Sequence, residues 1–167
     1  MQKPMTIIGV DPGQTGAVAV LGIDGALRVV DMPTVEIERG GKARREIDVA
    51  ALADLLRAID GGQAWIERVA ARPGQGVASM FSFGRGVGQV EGVLAALQTP
   101  VSYVTPQAWR KALRVPDGKD GSRLRASQIM PAYAGEWRRA KDDGRAEAAL
   151  IAMYGLQATA GIVGAAA

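Results

Sequence analysis

Three short β-rich runs follow one another at the start of the sequence, and this order limits the chain to a small set of folds. An apolar run at residues 5–10 ends at the Asp11-Pro12-Gly13 turn. Two further runs, 16–21 and 26–32, flank an Asp24-Gly25 pair. Because such a pair between apolar runs is a strong hairpin signal, we predict three consecutive antiparallel strands.

The rest of the chain alternates between helical and strand patterns. Residues 35–47 are rich in glycine and arginine, and we predict an exposed loop that touches phosphate. Helical spacing then begins after Asp48, a good N-cap residue, and ends at Gly61-Gly62. Further elements are predicted as strands at 64–69 and 101–104, helices at 78–98, 106–113, 122–133 and 142–154, and a loop at 115–122. The order predicts an α/β fold with a five-stranded mixed sheet, its first three strands antiparallel, flanked by helices.

Composition indicates one globular domain, because 48% of the 167 residues are apolar and 22% are charged. We expect this domain to span residues 1–157 and the Ala/Gly-rich segment 158–167 to form a flexible tail. The absence of cysteine and histidine excludes disulfides, Cys/His zinc sites and Ser-His-Asp or Cys-His nucleophiles. Any chemistry must therefore rest on carboxylates, hydroxyls, lysines, arginines or backbone groups.

Charge and hydropathy suggest a partner and a location. The net charge is +3, and the basic surplus lies between Arg110 and Arg145. Such a surplus suits a polyanion, although a solvated basic face is the commoner origin of a single cluster. No apolar run reaches the roughly 18 residues of a membrane span, and the first residues lack the pattern of a secretory signal. We therefore expect a cytoplasmic location and no membrane partner.

Acidic residues fall at positions where chemistry is usually found in such folds. Asp11 ends the first predicted strand and Glu67 the fourth, while Asp142, Asp143 and Glu147 begin the last helix. Open α/β sheets place their sites at the carboxyl ends of strands. Asp143 and Glu147 are four residues apart and share a helix face, whereas Asp142 is rotated by roughly 100°. The sequence thus predicts one acidic cleft.

A cluster of carboxylates needs a counter-charge, because like charges in one cleft repel each other. Mg²⁺ prefers hard oxygen ligands, and two such ions about 4 Å apart can clamp a phosphodiester during hydrolysis. That chemistry requires no histidine and no nucleophilic side chain. Each acid also has a purely structural interpretation, as a turn residue, a solvated strand end or a residue at a helix N-terminus.

Three blocks follow one another along the sequence: Ile8–Gly13 with Thr15-Gly16; Ile66-Glu67 followed by Gln75-Gly76, Ser79, Phe81, Gly84 and Gly88; and Lys141–Ala148. A basic stretch with Pro106, Trp109, Arg110 and Lys111 precedes the third block. Together they resemble the RuvC-type Holliday-junction resolvases of the RNase H-like superfamily, especially phage and related short forms. The resemblance covers roughly residues 5–155.

The resemblance implies an RNase H-like fold and a crossover junction endonuclease. Asp11, Glu67, Asp143 and Glu147 would be catalytic, and with Asp142 they are the candidate ligands of two Mg²⁺ ions, for which Mn²⁺ can substitute. The enzyme would act on branched DNA as a homodimer, in a bacterial or phage-infected bacterial cell. The dimer would use the helix at 78–98, whose small residues allow close approach, because two matching cuts require symmetry.

Two departures from the family pattern matter. The bacterial enzymes place their last two acids three residues apart, whereas here Gly144 stands three before Glu147. We choose Asp143 as its partner, with Asp142 as the alternative. An aromatic residue that opens the junction in those enzymes has no match just after Glu67. Phe81 or Phe83 could replace it, but we expect each to pack into the core.

Seven residues are predicted to contact DNA, mostly through phosphates, which give affinity without base information. By resemblance, Lys111 and Lys119 lie near the scissile strand, and Arg72 stands beside the active site. Trp109 could stack on a base, although a half-buried helix aromatic is the commoner case. The full set is Arg72, Trp109, Arg110, Lys111, Lys119, Arg123 and Arg125.

Three alternatives remain open. The same chemistry could act on flaps and forks with little junction selectivity. The Asp11–Gly16 segment also resembles the first phosphate loop of actin-like ATP-binding proteins, although these need a second domain that this length does not hold. The third alternative is a DNA-binding architectural protein without catalysis, which the retained acids argue against.

Overall fold

A computed structural model describes residues 5–59, 61–70, 73–74 and 76–162. Within these ranges the strands are β1 Thr6–Asp11, β2 Ala17–Gly22, β3 Leu27–Asp31, β4 Thr34–Arg39, β5 Lys42–Ile47, β6 Gln63–Glu67 and β7 Val101–Val104. The helices are α1 Val49–Arg57, α2 Val77–Ala96, α3 Pro106–Ala112, α4 Gly121–Ile129 and α5 Asp143–Thr159, with 3-10 helices at Pro131–Trp137 and Ala140–Asp142.

The central sheet has five strands in the order β3-β2-β1-β6-β7. Strands β1, β2 and β3 pair antiparallel, while β1 pairs parallel with β6, and β6 parallel with β7. The predicted α/β class, the mixed sheet and its three antiparallel strands are therefore confirmed. None of the helices in the described ranges has both the length and the apolar character that crossing a bilayer requires.

The two faces of the sheet carry separate cores. Ile8, Val10 and Ile66 face α1 and α2, whereas Ile7 and Trp65 belong to the cluster around α5. Because side chains alternate along a strand, Gly9 also lies on the α5 face. A Cβ atom there would overlap the Ala148 carbonyl oxygen, so the glycine lets α5 lie directly on β1.

The segment 35–47 is a hairpin, and its prediction as a loop was wrong. Strands β4 and β5 pair from Thr34 opposite Ile47 to Arg39 opposite Lys42, as a separate two-stranded sheet. Gly40 and Gly41 close the turn with φ values of +61° and +71°. Two consecutive residues with positive φ form the turn that matches the twist of a hairpin, and glycine adopts it without steric cost.

Two helix ends also differ from prediction. Helix α4 ends at Ile129 instead of continuing to residue 133, because Pro131 disfavours helical backbone at the residue before it. Helix α5 runs to Thr159, into the segment predicted as a flexible tail, because Ala158 packs against the α5-side core. Residues 163–167 lie outside the described ranges.

Candidate active site

Asp11 and Glu67 stand at the carboxyl ends of neighbouring parallel strands. The β1–β6 register pairs Gly9 with Trp65 and Val10 with Ile66, so the next residues on each strand are the two acids. Strand alternation puts both on the α5 face, and adjacent strands lie about 4.8 Å apart. The predicted meeting of these two carboxylates at one sheet edge follows directly from this register.

The first turns of α5 bring two more acids to the same edge. Gly144 is buried there, and a Cβ atom on it would lie 2.5 Å from the Thr15 carbonyl oxygen and 3.2 Å from Asp11 Oδ2. Helix α5 can therefore close over the turn after β1 only because residue 144 has no side chain. This contact gives a physical reason for the departure from the family spacing, since an acid at position 144 would not fit. Asp143 and Glu147 flank the contact instead.

The pKa of Asp11 is raised by the charges of the other three acids. Burial, together with the negative charges of Glu147 and Glu67 and a smaller effect of Asp143, raises its pKa from 3.8 to about 7. The Gly13 backbone N–H, 3.4 Å from Asp11 Oδ1, opposes this shift. The negative charges of the other three acids thus disfavour the charged form of Asp11, and a bound cation would relieve this repulsion.

Two of the acids are held by neutral donors. Trp109 Nε1 donates to Glu67 Oε1 at 2.8 Å, and Ser122 Oγ donates to Glu147 Oε1 at 3.0 Å. Arg110 Nη1 lies 3.4 Å from the same Glu147 oxygen. Burial raises the pKa of Glu147, although the Ser122 hydrogen bond favours its charged form. Ser122 could not be predicted as a site residue, because its hydrogen bond to Glu147 depends on how α4 packs against α5.

Asp143 has an oxygen with no protein partner. Its Oδ1 is buried and accepts no hydrogen bond from the part of the chain that the structure describes. Burial raises its pKa, while the positive charges of Arg123 and Arg110 act in the opposite direction. No three acidic side chains in the described ranges already have the arrangement of a metal site. The all-oxygen donor set and the orphaned oxygen nevertheless fit a hard divalent cation.

Asp142 is not brought into this group. Both of its oxygens bind Arg139, Oδ1 to Nη2 at 2.8 Å and Oδ2 to Nε at 2.9 Å, and Oδ2 also accepts from the Arg139 backbone N–H. The Arg139 hydrogen bonds lower the pKa of Asp142 to about 2. Its charge is not among those that act on Asp11. Asp142 therefore stabilises the segment before α5, and the structure favours Asp143 of the two alternatives.

The aromatic residues are placed contrary to prediction. Trp109 is fully buried, so it has no free face to stack on a base, because its ring fills the α5-side core and its N–H is used by Glu67. Phe81 and Phe83, predicted to be core residues, are 72% and 37% exposed. They lie in the first half of α2, whereas the first buried side chain of this helix is that of Val90.

The predicted DNA-contacting residues divide into two kinds. Lys111 and Lys119 are exposed and able to meet phosphate. The three partly buried arginines have protein partners: Arg110 at Glu147, Arg123 at Asp120 and the Arg138 carbonyl, and Arg125 at Gln128 Oε1 and the Leu113 carbonyl. Arg72 lies outside the described residues.

This architecture, a mixed five-stranded sheet with helices on both faces, is an RNase H-like fold. Two solved structures of RuvC from Thermus thermophilus share it. The complex with a Holliday junction substrate superposes with a TM-score of 0.63 at 16% identity, covering 95% of this chain and 98% of that one. A second RuvC structure gives 0.56 at 17% identity with the same coverage. The resemblance to RuvC inferred from the sequence is therefore confirmed at the level of the fold.

No protein-family model and no curated protein matches the sequence. At 16–17% identity, this structural likeness establishes the fold.

Proposed function

We propose that the chain is a divalent-metal-dependent endonuclease that resolves four-way DNA junctions. The observation that carries this proposal is that Asp11 and Glu67 end adjacent parallel strands at the edge where the first turns of α5, with Asp143 and Glu147, lie against the turn after β1. A phosphodiester is the substrate that this group suits, because carboxylate-held cations can activate water for its hydrolysis and no nucleophilic side chain is needed. Similarity to a RuvC structure in complex with a Holliday junction supports a branched DNA substrate.

Each residue of the group has a role in this proposal. Asp11, Glu67, Asp143 and Glu147 would hold two Mg²⁺ ions, with Mn²⁺ as a substitute. When bound, the ions would activate water and stabilise the charge that develops on the phosphate. Trp109 fixes one oxygen of Glu67, and Ser122 fixes one oxygen of Glu147. These hydrogen bonds limit the rotation of the two carboxylates.

The DNA contacts follow from exposure. Lys111 on α3 and Lys119 in the loop before α4 are proposed to bind phosphates beside the scissile bond, and Arg72 stays a candidate from the resemblance. Such contacts give affinity that falls with salt. Arg110 is proposed to act at the acidic group, since its guanidinium already contacts Glu147.

A homodimer is part of this proposal, because resolving a junction needs two matched cuts. Helix α2 offers an exposed stripe for it, in which Gly84, Gly88 and Gly92 follow one another at helical spacing. A Cβ atom on any of the three would meet nothing within 4 Å, so a second helix can approach closely. A cytoplasmic location belongs to the same proposal, because that is where bacterial DNA lies.

A nuclease panel tests the proposal. The wild type is incubated in Mg²⁺ with an immobile four-way junction, a fork and a linear duplex. We expect paired cuts in the junction, little cutting of duplex, and loss of at least about a hundredfold in rate for Glu67→Gln. Glu91→Gln is the matched control, because Glu91 also accepts a hydrogen bond from an aromatic side chain, Tyr103, at 2.9 Å.

Each outcome of the panel has a clear meaning. Equal cutting of fork and junction would favour the flap and fork nuclease over the resolvase. No cutting of any substrate in Mg²⁺ or Mn²⁺ would refute the nuclease. Thermal stabilisation by ATP would then favour the actin-like alternative.

A further inference from the structure

We propose that a cleft beside the acidic group binds a single strand of DNA, an inference that rests on the proposed nuclease function and specifies its substrate. The cleft, here called the arginine cleft, has a volume of about 880 Å³. Its walls are the turn after β1, the β4–β5 hairpin and the first half of α2. The residues that matter are Thr15 in the turn, Arg39, Arg44 and Arg45 on the hairpin, and Phe81, Phe83 and Arg85 on α2.

The charge of the arginine cleft suits a polyanion. Four arginines line it against one acid, Glu46, which bridges Arg85 at 2.8 Å and Arg39 at 3.6 Å. Arg44 and Arg45 are exposed and have no ion-pair partner among the residues that the structure describes. Two arginine side chains are thus available for phosphates.

The apolar part of the lining indicates that the strand is unpaired. Phe81 and Phe83 expose ring surface at the cleft instead of packing into the core. Arginines that follow a backbone, combined with aromatic rings on which bases stack, are the chemistry by which proteins bind single strands. A duplex would not use the rings, because its base faces are stacked on one another.

The cleft is continuous with the acidic group. Gly13 and Thr15 line it, while the Gly13 N–H contacts Asp11 and the Thr15 carbonyl lies against Gly144. Gln14 Nε2 donates to Ser82 Oγ at 3.3 Å and so joins this turn to α2. A strand that leaves Asp11 along this turn enters the arginine cleft, so the cleft selects DNA with an unpaired strand next to the cut.

The test measures binding in EDTA, so that cleavage plays no part. Fluorescence anisotropy is recorded for a single strand, a splayed fork and a blunt duplex at several salt concentrations. Arg44→Ala/Arg45→Ala is compared with Arg28→Ala/Arg57→Ala, which removes the same charge from exposed arginines outside the cleft. Thermal denaturation checks that both variants fold.

We expect the cleft variant to lower the salt slope on single strands by about 1.4, since each phosphate contact contributes about 0.7. Its affinity for the fork should fall roughly 10- to 30-fold at 0.1 M salt, with less than a threefold change on the duplex. The control variant should change both by less than threefold. Phe81→Ala should weaken single-strand binding roughly fivefold or more without changing the salt slope.

Three results would overturn the inference: an unchanged fork affinity in the cleft variant, an equal loss on duplex and fork, or a polyglutamate chain that competes as well as a single strand of equal charge. The last would identify an acidic protein as the occupant. Failure of the nuclease panel is a separate result, because it would refute cleavage and leave the metal-free binding measurements intact.

Discussion

Replacing Asp11 by Asn should stabilise the metal-free protein, although it removes the central acid of the site. The charged form of Asp11 is disfavoured in the folded state, where burial and the neighbouring Glu147 and Glu67 raise its pKa from 3.8 to about 7. Asparagine keeps the shape and an oxygen for the Gly13 N–H but carries no charge. The variant therefore relieves a repulsion that the wild type tolerates.

The magnitude follows from the pKa difference. Between pH 3.8 and about 7 the folded state binds more protons at Asp11 than the unfolded state, so wild-type stability falls as the pH rises through this window. A shift of roughly three units corresponds to about 4 kcal/mol at pH 8 and about 2 kcal/mol at pH 5. We expect Asp11→Asn to gain free energy of unfolding by amounts of this order, with the larger gain at pH 8.

Urea unfolding in EDTA at pH 5 and pH 8 measures the effect. Asp117→Asn, in an exposed loop, is the control and should change the free energy of unfolding by less than about 0.5 kcal/mol. Millimolar Mg²⁺ should stabilise the wild type and not the Asp11 variant, because only the wild type retains the complete acidic group. A variant no more stable than wild type at pH 8 would refute the buried, charge-coupled position of Asp11.

Three further changes test other parts of the site. Trp109→Phe should lower kcat about tenfold or more with little change in KM for DNA, because it removes the hydrogen bond that orients Glu67. Trp137→Phe, which loses the same ring volume at a buried position and a comparable 3.0 Å hydrogen bond, should leave kcat unchanged. Gly144→Ala should cost about 1–3 kcal/mol of unfolding free energy, measured in urea, since its Cβ has no room. Gly135→Ala, where the space is open, should cost nothing, and equal losses at the two positions would contradict the close approach of α5. Asp142→Asn should lower Tm at pH 7, because the ion pair with Arg139 stabilises the fold while Asp142 is ionised. The difference in Tm from wild type should shrink as the pH falls from 3.8 toward 2, where Asp142 becomes protonated in the folded state. A difference that does not depend on pH would exclude the ion pair as its cause.

The positions of the strand-borne acids could be predicted because they depend on local signals. An apolar run that ends at Asp11 and another that ends at Glu67 define two buried strands, and the strand order then brings the acids together. The choice between Asp142 and Asp143 depended on more than helix periodicity. It required the position of Arg139, which is fixed by a 3-10 turn that the sequence pattern did not predict.

The remaining errors have a common physical origin in tertiary packing. The helix containing Trp109 was predicted from its sequence, but burial of the ring is decided by α5, which packs against it from a distant part of the chain. Phe81 has the residue type of a core position, yet none of the side chains in the first half of α2 is buried. The β4–β5 hairpin is the exception, because its Gly40-Gly41 pair is a local turn signal. The charged residues around this pair led to the prediction of a loop instead.

The β4–β5 hairpin belongs to a sheet of its own and shares no ladder with the five strands that carry Asp11 and Glu67. Changes in its length or charge therefore leave the pairing of those strands untouched. If the proposed function holds, such a protein can acquire new DNA preferences by exchanging this one surface ribbon, while the strands that carry its acids stay as they are.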